Sequence, residues 1–177
     1  MAVKKELADY ITTIPDFPEK GIMFRDITTI IEDPIGFQMA VDGLIAQLKG
    51  LDFDYIVGTE SRGFIFGAPV AYAMHKGFIL ARKKGKLPRA TVSEDYKLEY
   101  GFATLEMHKD SLKPGDRVVL IDDLIATGGT TAAVIRLVEK IGGKVVKIGF
   151  VMELAGLKGR DKLRGYDVYS LISYPGK

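Results

Sequence analysis

Two acids and a run of small, hydroxyl-bearing residues stand together in Val118 to Thr131, VVLIDDLIATGGTT. An apolar run of the kind that forms a buried strand leads into Asp122 and Asp123; Ala126-Thr127-Gly128-Gly129-Thr130 follows, and a helical pattern begins at Thr130. Small residues at a helix start let successive backbone N–H groups converge on one anion, the helix N-terminus adds partial positive charge, and Thr127, Thr130 and Thr131 can donate hydroxyls. That is the make-up of a phosphate cup. An ordinary glycine turn with an N-cap threonine would account for Gly128 and Gly129 but not for two adjacent carboxylates, which repel unless something bridges them. A vicinal diol donates two hydrogen bonds and is a partner of the right chemistry a few residues before a phosphate. The pattern therefore predicts a site for a phosphorylated sugar. The commoner nucleotide motifs are absent: no Gly-x-Gly-x-x-Gly occurs, and neither Gly85-Lys86 nor Gly143-Lys144 is followed by Ser or Thr.

Two other segments could meet an anion. Gly58-Thr59-Glu60-Ser61-Arg62-Gly63 lies between a strand pattern and a helix pattern, where Arg62 can fork onto a pair of phosphate oxygens or stand as a surface residue at a helix start. Arg82-Lys83-Lys84-Gly85-Lys86-Leu87-Pro88-Arg89 is dense in cations and reads either as a solvated face or as a polyanion site. Two anion-receptive loops beside a phosphate cup suit a sugar carrying phosphate at two ends.

These loops need a scaffold. Val3, Leu7, Tyr10, Ile11 and Ile14 recur at helical spacing and predict an amphipathic first helix ending before Pro15, followed by an irregular stretch to Asp26. Asp33-Pro34 is an N-cap and first-turn pair, and Phe37, Val41, Leu44, Ile45 and Leu48 form one stripe that ends at Gly50. Then strand and helix alternate: a strand at Tyr55 to Val57, a helix from about Phe64 to His75, a strand at Phe78 to Ala81. From Arg82 to about Gly115 the chain is polar, with weak alternation at Ala103 to Met107 that suggests a mobile hairpin. Val118 to Ile121 is a buried strand, Thr130 to Ile141 a helix closed by Gly142-Gly143, and Val145 to Val151 and Val168 to Ile172 are further strands. The alternation predicts an α/β fold with a mainly parallel sheet flanked by helices, in one domain over residues 1–177, with the first 30 or so residues as an appendage. Ligands of such sheets sit beyond the carboxyl ends of the strands, which is where all three loops fall.

Composition narrows the function further. The 177 residues are 47% hydrophobic and 27% charged, enough to bury a core, and 25 basic against 23 acidic side chains leave a formal charge of only +2. That balance is not the strong basic field of a nucleic-acid binder, and no nucleic-acid partner is expected. Without cysteine there is no disulfide framework or thiolate, which suits a reducing, cytoplasmic setting. His75 and His108 do not form a ligand pair at helical spacing, and no protein-held metal is expected. Lys4, Lys5, Glu6 and Asp9 interrupt the N-terminus where a secretory signal would be apolar, and the Gly63 to Met74 run is too short to span a bilayer, so no membrane partner is expected.

Val118 to Thr131 resembles the fingerprint of the type I phosphoribosyltransferases, which replace the pyrophosphate of 5-phosphoribosyl 1-pyrophosphate with a nitrogenous base. The resemblance is closer to the members that act on adenine and extends through several segments in order: Ile14-Pro15-Asp16-Phe17-Pro18, Gly21 to Ile27, Glu60-Ser61-Arg62-Gly63-Phe64, Arg82-Lys83 with Gly85-Lys86-Leu87-Pro88, Leu98-Glu99-Tyr100-Gly101, and Leu154 to Arg160. Lys84 and Phe102 depart from the pattern. The resemblance implies that Ala126, Thr127, Gly128, Gly129 and Thr130 hold the 5-phosphate and that Asp122 and Asp123 hold the ribose hydroxyls. It implies that Ser61, Arg62, Arg82, Lys83 and Lys86 bind pyrophosphate, in part across a homodimer interface, and that the Glu60-Ser61 peptide is cis. The N-terminal appendage becomes a hood over the purine, with Phe24 stacking on the ring and the backbone near Arg25 reading its edge; a core role is the other reading of Phe24. Glu99 becomes the general acid or base for the purine proton, where the sequence alone favours an exposed hairpin glutamate. Mg2+ is expected on substrate oxygens, because it keeps its waters and favours phosphates over protein cages.

Overall fold

A computed structural model describes residues 5–97 and 101–176. The apolar run before the two acids becomes β7, Arg117–Ile125, the middle one of five parallel strands. Its side chains alternate between two buried layers: Val118 and Leu120 face one hydrophobic cluster, Val119 and Ile121 the other. A strand buried on both faces reads as continuous apolar sequence, which is why the pattern was visible. On either side lie β3 (Tyr55–Thr59) and β8 (Lys144–Leu154), both parallel to β7. Beyond them β4 (Gly77–Lys83) pairs with β3 and β9 (Val168–Tyr174) with β8, also parallel.

The polar interval folds as the hairpin strands β5 (Thr91–Lys97) and β6 (Phe102–His108), and β6 joins the sheet antiparallel to β4 through Arg82↔Glu106 and Lys83↔Leu105. The seven strands run β5-β6-β4-β3-β7-β8-β9. Helices α1 (Thr28–Glu32), α2 (Pro34–Ala46) and α3 (Arg62–Ala73) contribute to one buried layer and α4 (Gly129–Ile141) to the other. Asp33 caps α2 as its spacing predicts, accepting the N–H of Ile35 and of Gly36 at 2.9 Å each. Among the described residues no helix is long and apolar enough to cross a membrane.

The N-terminal segment differs from the sequence expectation. Of the proposed first helix, the described residues form only a 3₁₀ turn at Leu7–Tyr10, and the chain then enters β1 (Thr12–Pro15), antiparallel to β2 (Met23–Asp26) in a separate two-stranded sheet. β-Branched Thr12, Thr13 and Ile14 suit a strand, and pairing with β2 outweighs the helical spacing. The last four residues of the stretch expected to be irregular, Met23–Asp26, are thus β2. β7 also runs four residues past the predicted strand, so Asp122 and Asp123 lie within it and not after it.

Candidate active site

The loop after β7 owes its shape to glycine. Gly128 caps α4 with φ +74, and a Cβ there would lie 2.3 Å from the carbonyl oxygen of Gly159, so two backbones meet where no side chain fits. The first N–H groups of α4 have no partner inside the helix and are available to an anion. A cleft of about 350 Å³ opens in front of them, bordered by Ala126, Thr127, Gly128, Gly129, Thr130 and Thr131, by Asp122 and Asp123, and by Thr59, Glu60, Ser61, Arg62, Lys83 and Tyr96. The cup, both acids and the Ser61-Arg62 loop therefore share one cavity.

The acids differ in surroundings. Asp122 accepts the N–H of Asp123 at 2.9 Å and lies against α3, where a Cβ on Gly63 would come within 2.8 Å of its Oδ1. Burial, and then the neighbouring Asp123 carboxylate, hold Asp122 well above the usual carboxylate range. Asp123 is 5% exposed and accepts Arg62 Nε at 2.5 Å. The guanidinium supplies the bridge that the sequence left to a diol: Arg62 pairs with Asp123, while Asp122 beside it resists ionisation. An acid whose folded-state value is raised contributes stability below its unfolded value and loses it as pH climbs through the folded one. Asp122→Asn should therefore raise the unfolding midpoint at pH 7 by roughly 2 to 4 °C, equivalent to about 1 kcal/mol in a chain of this size, and should not raise it near pH 3. Thermal melts across pH check this; a lower midpoint at pH 7 contradicts it.

The Glu60-Ser61 bond is cis, as the resemblance implies. Burial opposes ionisation of Glu60, but Arg82 and the Lys83 N–H outweigh it and hold the carboxyl below its usual range. Arg82 donates to Glu60 through Nε at 3.1 Å and Nη2 at 3.3 Å, and Lys83 N–H donates to Glu60 at 2.9 Å. Of the basic run only Lys83 borders the cleft; Arg82 turns to Glu60 and to the Lys86 carbonyl at 3.2 Å, and Lys86 lies outside the lining.

Phe24 and Arg25, on β2, do not border the cleft either. Phe24 meets Phe17 edge-on at 5.2 Å, while Arg25 lies 4.1 Å from the centre of the Tyr174 ring and donates to Thr13 Oγ1. Glu99 lies outside the described residues. Sequence reading missed Tyr96 and the structural part of Gly159. The latter had a signal: it follows β8, on the rim shared by the loops after parallel strands.

The profile of the phosphoribosyl transferase domain matches residues 28–173, which include β3 to β8, β9 up to Ser173 and the whole cup. The chain belongs to the phosphoribosyltransferase family. This phosphoribosyltransferase is 63% identical over 173 residues to the adenine phosphoribosyltransferase of Agathobacter rectalis, covering 98% of this chain and 99% of that one. The crystal structure of adenine phosphoribosyltransferase from Thermoanaerobacter pseudethanolicus superposes with a TM-score of 0.90 at 50% identity, over 95% of this chain and 98% of that one. The Saccharomyces cerevisiae enzyme, solved with D-2,5-dideoxy-2,5-imino-altritol 1,6-bisphosphate and adenine, gives a TM-score of 0.87 at 41% identity, over 93% and 96% of the two chains.

Proposed function

We infer that this protein is a purine-salvage enzyme, transferring the 5-phosphoribosyl group of 5-phosphoribosyl 1-pyrophosphate to adenine to give AMP and pyrophosphate. The observation that carries this is the single cleft uniting the glycine cup of α4, the Asp122-Asp123 pair and the Ser61-Arg62 loop. The near full-length identity to relatives named for this reaction supports it.

In this reading Ala126 to Thr130 bind the 5-phosphate and Asp122 and Asp123 take the ribose hydroxyls. Arg62, released from Asp123 by the arriving diol, turns with Ser61 and Lys83 to the pyrophosphate. Breaking the C1 to pyrophosphate bond leaves positive charge on the sugar and gathers negative charge on the leaving group, so cations fixed at its oxygens lower the barrier most. The purine nitrogen that bonds C1 gives up its proton, and Glu99 takes the role of the base that receives it. Arg25 is tied by its side chain to Tyr174 and Thr13, which leaves its backbone to read the purine edge while Phe24 stacks on the ring.

Mg2+, when bound on the sugar phosphates, would supply charge screening for the departing pyrophosphate. The donor set suits that role: among the described residues no three acids or histidines cluster to hold a cation alone, and the carboxylates of Asp122 and Asp123 border the cleft. The enzyme acts as a homodimer in the cytoplasm, with Arg82 and Lys86, which do not border their own cleft, serving the partner's pyrophosphate. It has no nucleic-acid or membrane partner.

Incubation with 5-phosphoribosyl 1-pyrophosphate, Mg2+ and each of adenine, hypoxanthine, guanine and xanthine tests the assignment. AMP should form with adenine, and the other bases should be turned over far more slowly; preferred use of xanthine, or no turnover with any base, would contradict it. Asp123→Asn keeps the volume but weakens the ribose contact, and should lower kcat/KM for the sugar substrate by about 10- to 100-fold, as expected for a hydrogen bond to a charged group. Unchanged kcat/KM would remove Asp123 from the ribose site.

A further inference from the structure

The segment after β8 forms another wall of the cup. A second cleft of about 390 Å³ opens onto the same loop; Thr127, Gly129, Thr130 and Leu157 border it, together with two lysines, Lys97 from β5 and Lys162. Three contacts fix that wall. A Cβ on Gly159 would lie 2.3 Å from the Ala126 carbonyl oxygen, so the wall and the cup touch backbone to backbone. Arg160 is drawn to the sheet: Nε donates to both oxygens of Glu153 at 2.9 Å, Nη2 to Glu153 at 2.7 Å and to Ser170 Oγ at 2.9 Å, and Nη1 to the Val168 carbonyl at 2.7 Å. Leu163 is buried in the core. Between these anchors, the 3₁₀ turn Gly159–Leu163 turns Lys162 to the cup, its Nζ 3.9 Å from where a Cβ on Gly129 would stand.

The charges there are unbalanced. Arg160 pairs with Glu153 and Arg164 with Asp161, whereas Lys162 has no ion-pair partner among the described residues. An ammonium at the positive end of a 13-residue helix is repelled by it, and an anion lying between them removes the repulsion. We propose that Lys162 is a further binding residue for the substrate's 5-phosphate, donating a charge-assisted hydrogen bond to the phosphate dianion held by the cup. This rests on the assignment of Ala126 to Thr130 to that phosphate. Backbone N–H groups and threonine hydroxyls supply directional donors on the loop side, so a single point charge from lysine completes the shell.

The test is calorimetric titration of ribose 5-phosphate into the parent enzyme and into Lys162→Gln, Lys162→Arg and Thr130→Ala, with KM for adenine measured on each. Lys162 is exposed, so its variants should keep the parent unfolding midpoint. Lys162→Gln should weaken ribose 5-phosphate about tenfold, Lys162→Arg should restore most of that affinity, and KM for adenine should stay as in the parent. If Lys162→Gln binds as tightly as the parent while Thr130→Ala binds more weakly, the cup stands and the role of Lys162 is overturned. If neither substitution weakens binding, the 5-phosphate does not sit in the cup and both assignments fall. A Lys162→Arg protein as weak as Lys162→Gln would overturn the charge argument.

Discussion

Replacing Gly128 with alanine should weaken 5-phosphoribosyl 1-pyrophosphate binding by about 100-fold or more, the loss expected when two or more charge-assisted backbone hydrogen bonds are misaligned. Two effects combine. The residue's φ of +74 disfavours any side chain, and the new Cβ would meet the Gly159 carbonyl oxygen at 2.3 Å, which only a backbone shift can relieve. Either the cup or its wall must move, and the N–H groups aimed at the phosphate move with it. Gly165→Ala separates the two effects, since Gly165 has φ +93 but nothing within 4 Å of an added Cβ. It should cost about 1 kcal/mol of stability and leave KM for both substrates unchanged. Steady-state kinetics and thermal melts on the two variants check this; a Gly128→Ala enzyme with the parent's KM would show that the cup does not hold the sugar.

Glu99→Leu should produce the opposite kinetic split. Loss of a general acid or base lowers turnover by roughly 10²- to 10⁴-fold, while affinity for 5-phosphoribosyl 1-pyrophosphate, set by the cup and the cations, should change little. The informative set of measurements is kcat with adenine, affinity for the sugar substrate, and pyrophosphate release without base. Turnover equal to the parent's would return Glu99 to the reading its sequence context favours, an exposed hairpin glutamate.

What could be read in advance follows from which forces act locally. β7, α4 and the cup were legible because a doubly buried strand must be continuously apolar and a backbone-lined anion site must be made of small residues. Asp33-Pro34 was legible because capping is local. The N-terminal hairpin was not: Ile11 and Ile14 fit a helical stripe, and what makes Thr12–Pro15 a strand is its partner at Met23–Asp26. The site's electrostatics were equally hidden. Arg62 meets Asp123 because β3 and β7 are neighbours in the sheet, and Arg82 meets Glu60 because β3 adjoins β4. Strand order, which local pattern does not encode, decides both pairs, and it changed the picture of the acids from a pair awaiting a diol to a pair of which Asp123 is already held by Arg62. The approach of Gly159 to Gly128, and with it the position of Lys162, depends likewise on β8 lying beside β7.

The most direct test is a crystal structure of the enzyme with AMP. The 5-phosphate should accept hydrogen bonds from the backbone N–H groups of residues 127–130, the ribose hydroxyls should donate to Asp122 and Asp123, and Arg62 should have left Asp123. A phosphate bound instead along Lys83 to Arg89, with the Arg62 to Asp123 pair intact, would contradict the assignment of this cleft.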